Sequence, residues 1–388
     1  MIDTRLFTRR LADLIAQPSV SCTSPQLDMS NRNVVELLAE WLAAKQFQVE
    51  FQELPDNKAN LIATRGSGPG GLVLSGHTDT VPCNPDRWEQ DPFTLSSRDN
   101  RFYGLGATDM KGFFPVVLAA LDRLDEHLDK LQQPVIVLAT ADEESSMSGA
   151  RALVKAGLPK ARYAVIGEPT CMHPIRMHKG IMMEAIRIQG LAGHSSNPAL
   201  GHNAMESMHA VLGELLKFRS EIQAKYSNQG FAIPFPTLNP GYIHGGDNPN
   251  RICGHCEMHF DLRPLPGMDI GDLHHQLEQR LTPIGDAHNT PLTLENLIGG
   301  IDAYEQSADS ELVLLAEKLT GFKSESVAFA TEAPFLQKLG MQTLVMGPGS
   351  IDQAHQPNEY MAHEQVAPAV DVIANLITQL CLQTTSAA

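Results

Sequence analysis

Apolar residues recur along the chain with two periods. Phe7, Leu11, Leu14 and Ile15 fall at i, i+4, i+7 and i+8, the stripe of an amphipathic helix. Val34, Leu38, Trp41 and Leu42 mark a second helical face, and Phe114, Val117, Leu118 and Leu121 a third, within residues 113–124. Residues 49–54 alternate as a strand does. Residues 72–75, 135–139 and 163–166 are short apolar runs without alternation, which predicts strands buried on both faces. Strands and helices in alternation predict an α/β unit whose mostly parallel sheet carries helices on both faces.

From about Gly180 the texture changes. Residues 181–188 read as a strand, and 202–218 as a long helix carrying Met205, Met208, Leu212 and Leu215. Residues 241–244 and 251–263 read as strands, 270–281 as a helix and 292–297 as a strand. That βαββαβ order is the split-βαβ layout of a small α+β layer. The α/β texture returns with a helix over 310–320, a strand over 342–346 and a helix over 364–382. One α/β domain, 1–179 and 291–388, is therefore expected to be interrupted by an inserted α+β domain, 180–290.

Composition narrows the function classes. Of 388 residues, 29 are Lys or Arg and 45 Asp or Glu, a net charge of −16, which argues against a nucleic-acid partner. No uninterrupted apolar run approaches the roughly 18 residues of a membrane span, so no membrane association is expected. The arginines near the N-terminus flank an amphipathic helix and not a signal peptide. Six scattered cysteines fit a reduced, cytoplasmic protein.

Functional groups in open α/β sheets gather just past the carboxyl ends of the strands. His77 and Asp79 follow the 72–75 run. Asp142, Glu143 and Glu144 follow 135–139, Glu168 follows 163–166, and a glycine-rich loop after 342–346 leads to His355. Asp109 closes the stretch from Gly104, just before a helix. Any one of these alone is an ordinary cap or turn residue. Together they offer two imidazoles and at least three carboxylates, a donor set suited to Zn²⁺, Co²⁺ or Mn²⁺. If one carboxylate bridges, two metals can each take a His and a terminal carboxylate and keep the open position that hydrolysis needs.

Ser75-Gly76-His77-Thr78-Asp79-Thr80-Val81-Pro82 and the run from Gly104 to Gly112 resemble the co-catalytic zinc amidohydrolase/peptidase family. That family includes acetylornithine deacetylase, succinyl-diaminopimelate desuccinylase and aminoacylase. Ala141-Asp142-Glu143-Glu144, Gly167-Glu168-Pro169-Thr170 and Gly193-His194-Ser195-Ser196 extend the likeness over essentially the whole chain. Thr331-Glu332-Ala333-Pro334-Phe335 and the run Gly347–Pro357 are most similar to its acetylornithine-cleaving branch.

The resemblance implies a zinc-peptidase-like catalytic domain interrupted by a lid and dimerisation domain. It implies one metal on His77, Asp109 and Glu168 and a second on Asp109, Glu144 and His355: two divalent ions per subunit, zinc with cobalt able to substitute. Asp79 is expected to hold the His77 imidazole and fix its tautomer. Glu143 is expected to serve as general base, then acid. His194 is expected to enter the partner subunit's site in a homodimer and stabilise the oxyanion. Family members carry a cis peptide after the bridging aspartate, which predicts one at Asp109–Met110. Lys179, Asn250, Arg263 and Thr331 match positions that grip the substrate carboxylate. The implied reaction removes the acetyl group from N²-acetyl-L-ornithine, a step of arginine biosynthesis. The substrate ammonium needs a carboxylate when desolvated, and Glu332, ahead of Asp352, is expected to supply it.

Three other signals carry less. Cys253 and Cys256 have redox-motif spacing but lie in an alternating pattern through Ile252, Met258, Phe260 and Leu262, which sets the two thiols on opposite strand faces. His244-Gly245-Gly246 lacks an accompanying nucleophile elbow, and Gly104-x-Gly106 lacks the third glycine of a dinucleotide loop. The readings left beside a deacetylase are a related deacylase or dipeptidase, a catalytically silent binding protein and a thiol-redox protein.

Overall fold

The computed structural model describes residues 2–383. The chain separates into two compact units. One contains the residues up to Arg176, Gln306–Glu325 and those from Thr331 onward; the other contains Met177–Glu305 and Ser326–Ala330.

In the first unit, four parallel strands form the centre of the sheet in the order Val135–Thr140, Leu72–His77, Tyr163–Pro169, Gln342–Gly347. Ala59–Arg65 and then Gln48–Glu53 extend it antiparallel on one side, so the sheet is mixed around its parallel core. Every residue of Leu72–His77, Val135–Thr140 and Tyr163–Pro169 is buried, whereas Gln48–Glu53 at the margin is largely exposed. This is why the central strands read as unbroken apolar runs and the outer one as an alternation. Leu72, Leu74, Val135, Val137 and Val165 share one core with the helices Thr4–Ile15, Arg32–Ala44, Phe113–Arg123, Glu311–Thr320 and His363–Ile377. The short helices Ser148–Ala156 and Ala333–Lys338 pack on each other and, through the latter, on Gln342–Gly347.

Close packing decides one sequence choice beside the site. A Cβ on Gly167 would lie 2.1 Å from the Phe113 ring, so only glycine lets that helix start against the strand that carries Glu168. The Asp109–Met110 peptide just before this helix is cis. The segment His363–Leu382, 20 residues of mean hydropathy 1.4, is long and apolar enough to cross a membrane by length and composition. Its Ala369, Val370, Ile373 and Ile377 are instead buried in the core, against Phe113–Arg123. Glu364 and Asp371 interrupt its apolar run in the sequence.

The second unit has the βαββαβ order read from the sequence. Met182–Gln189 pairs with His255–Arg263 and Leu292–Asn296, and His255–Arg263 with Thr237–Gly245, all antiparallel. The helices Ala204–Lys225 and Ile270–Ala287 pack together over a cluster that includes Cys256, Met258, Phe260 and Leu262.

Two expectations need correction. The inserted unit does not end at 290: Leu292–Asn296 pairs with Met182–Gln189, so the chain leaves the unit only after Glu305. Nor do Cys253 and Cys256 face opposite sides of a strand. The strand starts at His255, so Cys253 precedes the pleat and both thiols are buried in the same apolar cluster.

Candidate active site

Parallel pairing delivers the functional groups to one edge. His77 is in register with Thr140 and Ser75 with Ile166, so the residues just after each strand emerge side by side. The result is two ligand groups sharing one carboxylate: His77, Asp109 and Glu168, and Asp109, Glu144 and His355, with donor atoms in each group within 4.8 Å of one another. His77 Nε2 lies 3.0 Å from Asp109 Oδ1 and 4.0 Å from Glu168 Oε1. His355 Nε2 lies 3.0 Å from Glu144 Oε1 and 3.4 Å from Asp109 Oδ2. The five residues taken as metal ligands from the sequence are thus brought together in the two expected sets.

The arrangement fits divalent cations. Asp109 and Glu168 are 7% and 5% exposed, too buried to be solvated surface charges. Glu168 Oε1 is buried without a hydrogen-bond partner among the described residues. Burial, with Asp109 and Glu144 close by, pushes the Glu168 carboxyl well above its ordinary range. Burial opposes ionisation of Asp109 too, but hydrogen bonds from His355 and His77 hold its carboxyl below the usual carboxylate range. The same two acidic partners, Asp109 and Glu144, raise His355 to about 10. A cation relieves this crowding of carboxylates, and N/O donors are what such ions take.

Asp79 does not hold the His77 ring by its side chain, as expected from the sequence. His77 Nδ1 donates to the Asp79 backbone carbonyl at 2.9 Å, while the nearer carboxylate oxygen is 3.8 Å away. A carbonyl only accepts, so Nδ1 carries a proton in either charge state of the ring, and it is Nε2 that faces Asp109 and that a neutral ring would offer to a cation. The turn after His77 brings this carbonyl back under the ring and frees the Asp79 carboxylate, which accepts from the N–H groups of Glu143 at 3.3 Å and Glu144 at 3.0 Å. Glu143 itself is partly exposed, and among the described residues nothing hydrogen-bonds its carboxylate. Burial and the neighbouring Glu168 push it well above the ordinary range.

The other expected residues are spread more widely. Glu332 is buried at the same edge: its Oε2 accepts from Thr140 Oγ1 at 2.9 Å and its Oε1 has no partner among the described residues. Burial raises it to about 7. Thr331 is buried and its Oγ1 accepts from Ala333 N–H at 3.1 Å, holding the start of the Ala333–Lys338 helix. Asp352 lies on an exposed turn, its N–H 3.3 Å from Ser350 Oγ. In the second unit, Lys179 and Arg263 line one cavity of about 390 Å³ with Phe231, Ile233 and Thr237. Lys179 Nζ donates to the Phe235 carbonyl at 2.7 Å, and Arg263 Nε to Asp261 at 2.8 Å. Asn250 is not in that cavity. It sits beside His194, its carbonyl accepting from Ser195 N–H at 3.0 Å. His194 Nδ1 accepts from Ser196 N–H at 3.2 Å, so the neutral ring carries its proton on exposed Nε2.

Two buried groups escaped the sequence reading. Lys58 bonds Asp142 and Asp28, fixing the residue just before Glu143. Glu359 accepts backbone N–H bonds from the segment that carries Asp109. Neither shows a local pattern, because each acts on a distant segment.

The profile of peptidase family M20/M25/M40 matches residues 73–379. The chain belongs to this family. As an M20/M25/M40 member it is a hydrolase, and two of its curated relatives carry one name. It is 48% identical over 378 residues to acetylornithine deacetylase of Photorhabdus laumondii, covering 97% of each chain. It is 50% identical over 370 residues to acetylornithine deacetylase of Edwardsiella ictaluri, covering 95% of this chain and 96% of that one. Among solved structures, the M20 fold is shared with aminopeptidase PepT from Bacillus cereus, at a TM-score of 0.77 and 16% identity, over 98% of this chain and 99% of that one.

Proposed function

We propose that this chain is an acetylornithine deacetylase: N²-acetyl-L-ornithine and water give L-ornithine and acetate. The observation that carries amide hydrolysis is the pair of ligand groups sharing Asp109, with the Glu143 carboxyl close enough to feel Glu168, His77 and Glu144. Identity of 48% along 97% of the chain supports the substrate. The reaction serves arginine biosynthesis.

His77, Asp109 and Glu168 would hold one divalent ion, and Asp109, Glu144 and His355 the other, zinc in each case with cobalt able to replace it. Bound there, such ions supply Lewis acidity, lowering the pKa of water and polarising the acetyl carbonyl. Glu143 takes the proton from the attacking water and gives it to the leaving nitrogen. Asp79 orients Glu143 and Glu144 through their N–H groups. His194 Nε2 donates to the oxyanion. Lys179 and Arg263, which line one cavity, bind the substrate carboxylate, the guanidinium by its planar fork.

The protein works as a homodimer through the inserted unit, with His194 acting in the partner's site. Tyr242 and Ile243 on the marginal strand Thr237–Gly245 are 48% and 58% exposed, which supports an association there. Six free thiols favour a cytoplasmic location.

Metal analysis coupled to turnover tests the reading. The purified protein is expected to carry two divalent ions and to prefer N²-acetylornithine over succinyl-diaminopimelate and dipeptides. Preference for either alternative would assign it to a related activity of the family.

Glu332 takes the substrate ammonium: its unpartnered Oε1 gains a charged donor, which also holds the carboxylate ionised. Glu332→Gln is expected to lower kcat/KM for acetylornithine roughly 10–150-fold, the worth of about 1.5–3 kcal/mol for a charge-assisted contact. N-acetylmethionine, uncharged at that end, should be hardly affected. Equal losses on both substrates would make Glu332 structural and turn attention to Asp352.

A further inference from the structure

The segment that carries His355 continues through Pro357 and Asn358 to Glu359, whose side chain is 1% exposed. Its carboxylate turns onto the loop that ends in Asp109. Oε2 accepts from Gly106 N–H at 3.0 Å, and Oε1 from Thr108 N–H at 2.7 Å and Asp109 N–H at 3.0 Å. Two further bonds join the same segments: Gly104 N–H to the Glu359 carbonyl at 3.1 Å, and Thr108 Oγ1 to the Tyr360 carbonyl at 2.6 Å.

We propose that Glu359 is a positioning residue that aims Asp109 at both cation sites by gripping the backbone of its loop. The proposal rests on the reading that the two ligand groups hold cations. Asp109 must present Oδ1 toward the His77 side and Oδ2 toward the His355 side, and these oxygens lie 3.0 and 3.4 Å from the two imidazoles. A carboxylate that gives one oxygen to each metal tolerates little rotation. Fixing the Asp109 N–H fixes the origin of that side chain. Glu359 can do this because its two carboxyl oxygens accept from three N–H donors at once, Oε1 from two and Oε2 from one. Glutamine of the same size turns a donor toward at least one of them. Because His355 and Glu359 lie four residues apart, the grip also ties two ligands of the second group, His355 and Asp109, into one unit.

Groups behind metal ligands typically change affinity about 10–100-fold when altered, and Glu359→Gln is expected to weaken Co²⁺ binding by that range. Metal-free wild type and variant would be titrated with Co²⁺ against a chelator at a temperature where far-UV circular dichroism shows both folded. The visible Co²⁺ spectrum should change as well, a signal that a purely structural role leaves alone. Glu359→Asp keeps the acceptor chemistry at shorter reach and should recover part of the affinity. A folded Glu359→Gln protein with wild-type affinity and spectrum overturns the proposal. If Glu359→Gln does not fold, Glu359→Asp decides it: weakened binding supports the grip, and wild-type binding overturns it. Failure of both to fold also overturns it, since the carboxylate then serves the fold as a whole. Wild-type protein that takes up no Co²⁺ refutes the cation reading itself, whatever the variants do.

Discussion

Replacing Glu143 by alanine is expected to lower turnover about 10²–10⁴-fold, the usual contribution of a general acid–base group, while the protein keeps both metals. Glu144→Ala is expected to lose comparable activity together with metal. The two residues are neighbours whose N–H groups are both held by Asp79, yet only Glu144 has its carboxylate on His355, at 3.0 Å. One anchor thus orients two side chains for different work. Metal content by atomic emission, measured beside turnover, separates them. Equal metal loss in both variants would contradict this division of roles.

Mixing two nearly inactive variants is expected to restore activity. His194→Ala removes an oxyanion donor, a change that typically costs about 10²–10³ in kcat, and Glu143→Ala removes the proton carrier. If His194 acts across the dimer, a mixed dimer has one site with both groups intact and one with neither. The His194 ring suits the role, because Ser196 N–H occupies Nδ1 and leaves Nε2 as the donor. Subunit exchange would be confirmed with differently tagged chains before the assay. No recovery after confirmed exchange would assign His194 to its own site, or to none.

Much of the site was legible because its residues follow a local rule. His77 and Glu168 stand at the carboxyl ends of buried parallel strands, and Glu144 and His355 in the segments that follow two others; such strands announce themselves as short apolar runs. Parallel pairing then brings segments far apart in sequence to one edge, so the candidate donors could be gathered before any distance was known, while their division into two sets came from the resemblance to the co-catalytic zinc family. Asp79 shows where this stops. Spacing put its side chain beside His77, but the backbone turn presents its carbonyl instead. Cys253 failed for a similar reason: alternation in the sequence ran on past the point where the pairing begins, at His255.

The sequence by itself determined the alternation of strands and helices, the βαββαβ insertion and the residues able to bind metal, because periodicity and strand-end position are properties of neighbouring residues. Only the tertiary structure decided that Glu359 grips the Asp109 loop, that Lys58 braces Asp142, that Glu332 reaches Thr140, and that the inserted unit runs on to Glu305. Each of these depends on a partner many residues away. A lone buried Glu or Lys looks the same in the sequence whether it will meet a backbone amide, a carboxylate or a hydroxyl. The physical reason is that burying a charge is tolerated only where its hydrogen bonds are met, and the groups that meet them are assembled by the fold.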